Sequence, residues 1–565
     1  MTDRTDDPLL THHLVVGVTG HRKLREEDVP ALRARVRAFL LDLQQRYPKL
    51  HLQLLSSLAE GSDQLAAEVA LELGIGVIAP LPLPEDLYRQ DFDEAGQERL
   101  QHLLAHSQAL VLPLADATAR DAVAEHGPAR DRQYAQAGMF VSSHCHLLLA
   151  LWDGHESTRL GGTAQVVRYH LHGSLYDQGE RSHDAATLLG PDQENVVYHL
   201  PVARQGEEAP ADVDGRWLTS EDGREVAGPL PPEFARMFAR QEAFKVDADK
   251  YEQAIREQPA PSPAAEQCPV WRTFTAADWL ARTYQRRVAR VLWITYLLAA
   301  LMGFTFFTYT HVASQDLVIY GFLLLFLVGF GVATLAGRRQ WQRKYLDYRT
   351  LAEGLRVQSY WRRAGIVQPG TPAFAHDNFM QKQDVELGWI RNVMRSASLD
   401  GMRVPVQDTD AEVDAVVAEW IGAPHAGGQL AYYSSAALRR QRLHHRAEML
   451  GLVCIGLGVA LSVVLALFVR LFDAHLKHVL VSVMGFLSIA AAVHEAYVHK
   501  KADKEIVRQY RFMQRIFGSA QRLLAQASGL EEKRRILVAL GEAALTEHAE
   551  WSLMHRERPL PTSRI

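Results

Sequence analysis

VLWITYLLAALMGFTFFTYT, residues 291 to 310, decides the architecture: it carries no charge and, as a helix, is long enough to cross a hydrocarbon layer of about 30 Å. A second apolar run, Leu317–Gly337, follows after a short connection. Met449–Val469 is the third run, and Val479–Val498 is a fourth, interrupted near its end by His494 and Glu495. Each pair reads as a helical hairpin. The alternative, buried core helices of a soluble protein, requires a core that hides two adjacent, all-round apolar helices twice over.

Basic residues orient the hairpins. Arg282, Arg286, Arg287 and Arg290 precede the first run, and Arg338, Arg339, Arg343 and Lys344 follow the second. The connection from His311 to Asp316 holds no Lys or Arg, so the positive-inside rule sets both ends of this hairpin in the cytoplasm. The second hairpin has Arg439, Arg440, Arg442 and Arg446 before it and Lys500, Lys501 and Lys504 after it, with Arg470 and Lys477 near its turn weakening the contrast. The expectation is a multi-pass protein of the cell inner membrane with both termini and the N-terminal domain cytoplasmic.

The hairpins read as copies. Leu317 and Val479, Tyr348-Arg349 and Tyr510-Arg511, and Trp389 and Trp551 all stand 162 residues apart. A shared offset across three landmarks indicates duplication of a unit with a basic entry helix, a hairpin and a long, amphipathic returning helix. Expected modules are 276–437, with spans 291–310 and 317–337, and 438–565, with spans 449–469 and 479–498.

Residues 12–205 have another pattern. HLVVGVTG (13–20), HLQLLSSLA (51–59), IGVIAPLPL (75–83), ALVLPLA (109–115), HLLLALWDG (146–154) and NVVYHLPVA (195–203) are short apolar runs ended by turn residues, with helical stretches between them. The predicted fold is an α/β, Rossmann-like, doubly wound parallel sheet followed by an all-α membrane region. Gln205–Pro232 and Gln258–Pro269 read as linkers within 206–275, and the helical segment Glu233–Arg256 between them as a spacer.

The average composition conceals this division. The chain has 565 residues, a formal charge of −5 and 48% hydrophobic residues, which argues against a broad nucleic-acid surface and against wholesale disorder. Three distant cysteines, Cys145, Cys268 and Cys454, indicate neither a disulfide framework nor a cysteine-based zinc site. The histidines lack metal-site spacing, so no metal is expected.

Ligands of parallel sheets bind beyond the carboxyl ends of the strands. Gly17, Thr19, Gly20, His21 and Arg22 close the first strand, its glycines allowing close backbone approach and His21 and Arg22 available to an anion. The second strand ends in Ser57, Glu60, Gly61, Ser62 and Asp63, where Ser62 either only caps the next helix or helps present its amides to phosphate. The fifth ends in Trp152, Asp153 and Gly154, followed by Gly161, Gly162 and Thr163; Trp152 stacks on a base or packs in the core. Three glycine-bearing strand ends on one edge point to a phosphate-bearing, nucleotide-like ligand.

At GVTGHR (17–22), SSLAEGSDQLAAEVALELG (56–74) and LLLALWDG with GGT (147–163), the sequence resembles the SLOG superfamily, which includes the lonely-guy phosphoribohydrolases. The hairpins, the Tyr-Arg landmarks and the closing AEWSLMHRERPL (549–560) resemble the SLATT membrane module. The resemblance implies a cytosolic sensor of a nucleotide-derived ligand, of the ADP-ribose, NAD-derivative or cyclic-nucleotide class, joined to an oligomeric membrane effector of bacterial antiphage or stress defence. No obligatory cofactor is implied. Lonely-guy enzymes carry a catalytic glutamate three residues after the GGxGT turn, whereas here Ala164, Gln165 and Val166 follow Thr163. That departure favours binding over hydrolysis; in the alternative, a membrane-anchored nucleotide or NAD-derivative hydrolase, Glu60 or Asp63 would assist.

Overall fold

Each apolar run of the N-terminal region forms a strand, and most stop at or beside a Gly, Pro or Asp, whereas the second gives way at Ser56. The strands are β1 (His13–Gly20), β2 (His51–Leu55), β3 (Gly76–Leu81), β4 (Gln108–Val111), β5 (Leu147–Trp152) and β6 (Val196–Pro201). In this computed structural model the described residues are 10, 12–114, 120–157, 160–172, 195–210, 213–219, 225–227, 229–311, 315–367, 387–402, 409–423, 427–468, 470–501 and 503–556. Ala115 of the expected fourth strand, Val469 of the third apolar run and 557–560 of the closing motif lie outside them.

The helices of this region are α1 (Val29–Arg46), α2 (Ser62–Glu72), α3 (Glu85–Tyr88), α4 (Glu94–Ala105), α5 (Pro128–His144) and α6 (Thr163–His172). The parallel strands lie in the order β4-β3-β2-β1-β5-β6. Helices α1, α2 and α4 pack together, as do α5 and α6. Leu14 and Val16 are as fully buried as Val15, so both sheet faces are covered, which is why the strands read as near-continuous apolar runs.

Two expectations are corrected here. The supposed linker after β6 holds β7 (Arg216–Thr219) and β8 (Glu225–Ala227), which extend the sheet antiparallel as β6-β7-β8. Trp217 sits opposite Tyr198, and Tyr198 stacks on Phe39 at 4.3 Å, so aromatic packing holds this edge. The supposed spacer is α7 (Pro232–Lys250), whose Phe234, Met237, Phe238 and Phe244 are buried. Its Gln241 amide donates to the His13 carbonyl at 3.0 Å.

The later helices are α8 (Pro269–His311), α9 (Asp316–Arg338), α10 (Trp341–Arg363), α11 (Gly388–Gly401), α12 (Gly428–Phe468), α13 (Ala474–Lys501), α14 (Asp503–Gln526) and α15 (Leu530–Arg556). The chain divides into two compact units. One comprises Met1–Ala276 with Gly354–Val406, and the other Ala277–Glu353 with Gln407–Ile565. This division departs from the expected module 276–437, because α11 belongs with the sheet. Trp389 and Asn392 of α11 are buried, with Trp389 5.8 Å from Phe244 and the Asn392 amide 3.4 Å from Gln241 Oε1.

In the second unit, four helices are long and apolar enough to cross a membrane: α8, α9, α12 and α13. At most 11% of any of their apolar windows is buried within the protein. Leu323, Leu324, Leu327, Leu452 and Leu467 are all exposed, far more contiguous apolar surface than a monomer in water tolerates. The returning helices are α10 and α14, the first over Trp341–Arg363 and the second over Asp503–Gln526. Each hairpin is braced outside its apolar runs by an ion pair, Asp278 with Arg349 at 3.3 Å and Arg440 with Asp503 at 2.7 Å. The tryptophan landmarks have parted, since Trp551 packs beside Tyr345 and His548 in the second unit and Trp389 lies in the first.

Candidate functional site

β1 lies between β2 and β5, and the strand order runs outward in opposite directions from the β1–β5 pair. A crevice forms at such a reversal because consecutive crossovers leave it to opposite faces. The ends of β1, β2 and β5 meet there. The His21 amide donates to the Leu151 carbonyl at 3.1 Å, and the Ser62 amide and hydroxyl both donate to the His21 carbonyl, at 3.1 and 2.9 Å.

Glycines make this junction sterically possible. A Cβ on Gly20 would stand 2.3 Å from Ser62 Cβ. Gly61 has φ +84°, and a Cβ there would stand 2.0 Å from the Arg22 carbonyl oxygen. Gly17 serves the interior instead, since a Cβ on it would meet Cys145 Sγ at 2.8 Å. Ser62 makes no side-chain cap to α2, which corrects the expectation of a capping serine; its hydroxyl fastens α2 to β1. The intervening loop carries Leu58 at φ 57°, a conformation costing about 1–3 kcal/mol, with the side chain fully buried and its amide bonded to Ser56 Oγ at 3.2 Å. The Ser57 carbonyl accepts from the buried Tyr88 hydroxyl at 3.0 Å.

Asp153 is the hub. Its Oδ2 lies 3.0 Å from His21 Nε2 and 2.9 Å from Arg204 Nη2, and its Oδ1 accepts from the His155 amide at 2.9 Å. Burial works to raise the Asp153 carboxyl, but the His155 amide, His21 and Arg204 outweigh it and hold it below its ordinary range. Burial lowers His21 against the pull of Asp153, so its imidazole is neutral near pH 7. His21 Nε2 also stands 3.1 Å from the Asp153 amide. A single ring nitrogen cannot donate to the carboxylate and accept from the amide together, so the tautomer decides which contact is made. His21 therefore offers no cation to an anion.

Arg22 does. It is exposed, with its guanidinium 5.0 Å above the Tyr134 ring. Tyr134 in turn donates its hydroxyl to Asp91, and Gly161, at φ +74°, packs against it, a Cβ there standing 3.2 Å from Tyr134 Cβ. The Gly161–Thr163 turn is pinned by its Gly161 amide donating to Gln165 Oε1 at 2.7 Å. Asp91 is also held by the buried Arg130 at 2.8 Å. Trp152 is half-buried; its indole donates to the His155 carbonyl at 3.1 Å and its own carbonyl accepts from His199 Nε2 at 3.0 Å.

The carboxylates of the hydrolase alternative differ in access. Asp63 is buried, and burial pushes its carboxyl up to about 7, against the pull of Arg22. Glu60 is half-buried, Thr19 is buried and Gly154 is exposed at φ +83°. Among the described residues no group of three or more His, Cys, Asp or Glu is placed to hold a metal.

Arg204, Tyr134, Asp91 and His199 join the site although sequence reasoning passed over them. Arg204 was legible, since it closes the sixth predicted strand as Arg22 closes the first. Compared with known proteins, the chain matches no family model, no curated protein and no solved structure.

Proposed function

We propose that the protein is a ligand-responsive membrane effector, in which a Rossmann-like cytosolic domain binds a nucleotide-derived anion and biases an oligomeric, duplicated two-hairpin module in the bilayer. The observation that carries this reading is the meeting of three glycine-bearing strand ends at the sheet's reversal, with the exposed Arg22 and the half-buried Tyr134 beside them, in a chain with four long apolar helices. The cation would hold a phosphate, and the tyrosine and the Gly161–Thr163 turn would border the rest of the ligand. The Ser62 hydroxyl, which donates to the His21 carbonyl at 2.9 Å, and the missing acid after the Gly161–Thr163 turn support recognition rather than chemistry. Four helices with little intramembrane charge line no conduit alone, so a pore would need several copies.

Liposomes containing the full chain are expected to leak ions when nucleotide-derived ligand is added and not before. Arg22→Ala should remove the dependence on ligand, and leakage unaffected by ligand sinks the reading. The His21–Asp153 contact favours one other reading, a membrane-anchored nucleotide or NAD-derivative hydrolase. Recovery of intact ligand from the complex separates the two; turnover lost in Glu60→Gln or His21→Gln would favour the hydrolase.

A further inference from the structure

The second unit contains a groove of about 1110 Å³ between α12 and α14. Its α14 wall carries Lys504, Arg508, Arg511, Arg515 and Arg522. Most of these positions are spaced by three or four, so they lie along one helical face, where like charges repel unless something neutralises them. Lys504 meets Glu448 at 2.8 Å. Among the described residues, Arg511 reaches the neutral amide oxygen of Gln441, at 2.8 Å, and Arg522 the hydroxyl of Ser519, at 3.0 Å. Among the described residues, no carboxylate pairs with Arg508, Arg511, Arg515 or Arg522.

The groove has a defined place relative to the apolar helices. Lys504 lies six residues beyond Val498, where the fourth apolar run ends, and the facing wall includes His444, five residues before the apolar run of α12 opens at Met449. The groove therefore opens where the chain leaves the apolar layer and runs on for about 27 Å from Lys504 to Arg522 at the helical rise. A row of cations there is attracted to phosphate, with each contributing about 1 kcal/mol near an anionic surface.

We propose that this groove is a binding site for a phosphate-bearing anion, separate from the strand-end site and independent of the reading given to it. Two sources share that chemistry. An anionic lipid headgroup would engage the near end at His444, Lys504 and Arg508, and a soluble polyphosphate would use the length of the row.

Two measurements on the full chain test it. In nanodiscs of phosphatidylcholine with or without phosphatidylglycerol, mass spectrometry after delipidation reads the anionic lipid retained. In detergent, calorimetry reads the binding of tripolyphosphate. Removing both cations in Arg508→Gln/Arg515→Gln should weaken tripolyphosphate binding roughly twenty-five-fold, about five-fold for each, and phosphatidylglycerol retention about five-fold, through Arg508 alone. Arg508→Lys/Arg515→Lys, which keeps the charge, should restore most of it. Arg286→Gln/Arg290→Gln removes equal charge from the other hairpin's collar and should change little. Selective retention of phosphatidylglycerol identifies a headgroup site, tripolyphosphate binding identifies a soluble ligand, and either, lost in the Gln pair alone, supports the site. The proposal is overturned if neither probe binds, or if the Arg286/Arg290 pair loses as much as the Arg508/Arg515 pair.

Discussion

Buried histidines make the first unit sensitive to acid. Burial holds His12 down to about 3, with Lys245 and His13 adding to it; burial and Arg395 hold His144 down to about 4. His170 is lowered to about 3 by burial and by Arg395 and Arg391, and His146 is lowered well below its usual value by the same causes. The unfolded chain takes up these protons near pH 6.5, whereas the folded unit refuses them until much lower pH. Stability is therefore complete above that value and falls as pH drops toward 4. At about pH 5 each histidine costs about 2 kcal/mol, so His12, His144 and His170 together approach the whole stability of a domain. Tryptophan fluorescence and circular dichroism of the purified protein should show the sheet unit unfolding on acidification near pH 5, and an unchanged melting temperature between about pH 7 and 5 would refute this. Asp63 has the opposite sign. Its raised carboxyl gives a contribution present below the unfolded value of 3.8 and lost as pH rises through about 7, so Asp63→Asn should stabilise the protein more at alkaline than at acidic pH.

The hairpin helices approach one another through small residues. A Cβ on Gly485 of α13 would stand 2.3 Å from the Phe307 ring of α8, and a Cβ on Gly303 of α8 would stand 2.8 Å from Ile489 Cγ2 of α13. Phe486 completes the contact, 5.2 Å from both Phe304 and Phe307. In a bilayer such close approach is what dispersion forces between helices require, because lipid offers no hydrophobic drive. A cysteine pair, Gly303→Cys with Ile489→Cys, should crosslink within one chain under mild oxidation. Adding Gly485→Leu should abolish that crosslink by forcing the helices apart; a crosslink that persists would mean the two helices do not pack there. Among the strand-end residues, Gly61→Ala combines a left-handed backbone with a blocked position and should destabilise the first unit by roughly 1–3 kcal/mol, read by its melting transition.

At the scale of the molecule, the charge pattern sets a testable orientation. Basic residues crowd the outer ends of both hairpins, and the connections hold fewer. With Cys454, the least buried of the three native cysteines, replaced by serine, Gln315→Cys and Asp473→Cys should react with a membrane-impermeant maleimide on intact cells. Arg22→Cys should react only after the membrane is opened. Labelling of Arg22→Cys first would reverse the topology and remove the cytosolic ligand from the proposed function.

Much of this architecture is legible because its signals are local. Six parallel strands, four apolar helices and the glycine-bearing strand ends each declare themselves over a few consecutive residues, where periodicity and turn chemistry act directly. β7 and β8 escaped because they are only four and three residues long, too short to show a period, and β7 is held by Trp217 meeting Tyr198 of β6 across the sheet. GWIRNVMRSASLDG, the sequence of α11, reads by itself as half polar, yet its Arg391 and Arg395 are buried. Only the fold brings up distant partners for such groups, one of them the Cys145 carbonyl, which accepts from Arg395 at 3.2 Å across 250 positions of sequence. The same holds at the candidate site. The sequence determined which residues end the strands, but tertiary structure decided that Asp153 takes up His21 and Arg204 and that Arg22 stays exposed beside Tyr134. Pairing between distant segments leaves no imprint on the residues flanking either one.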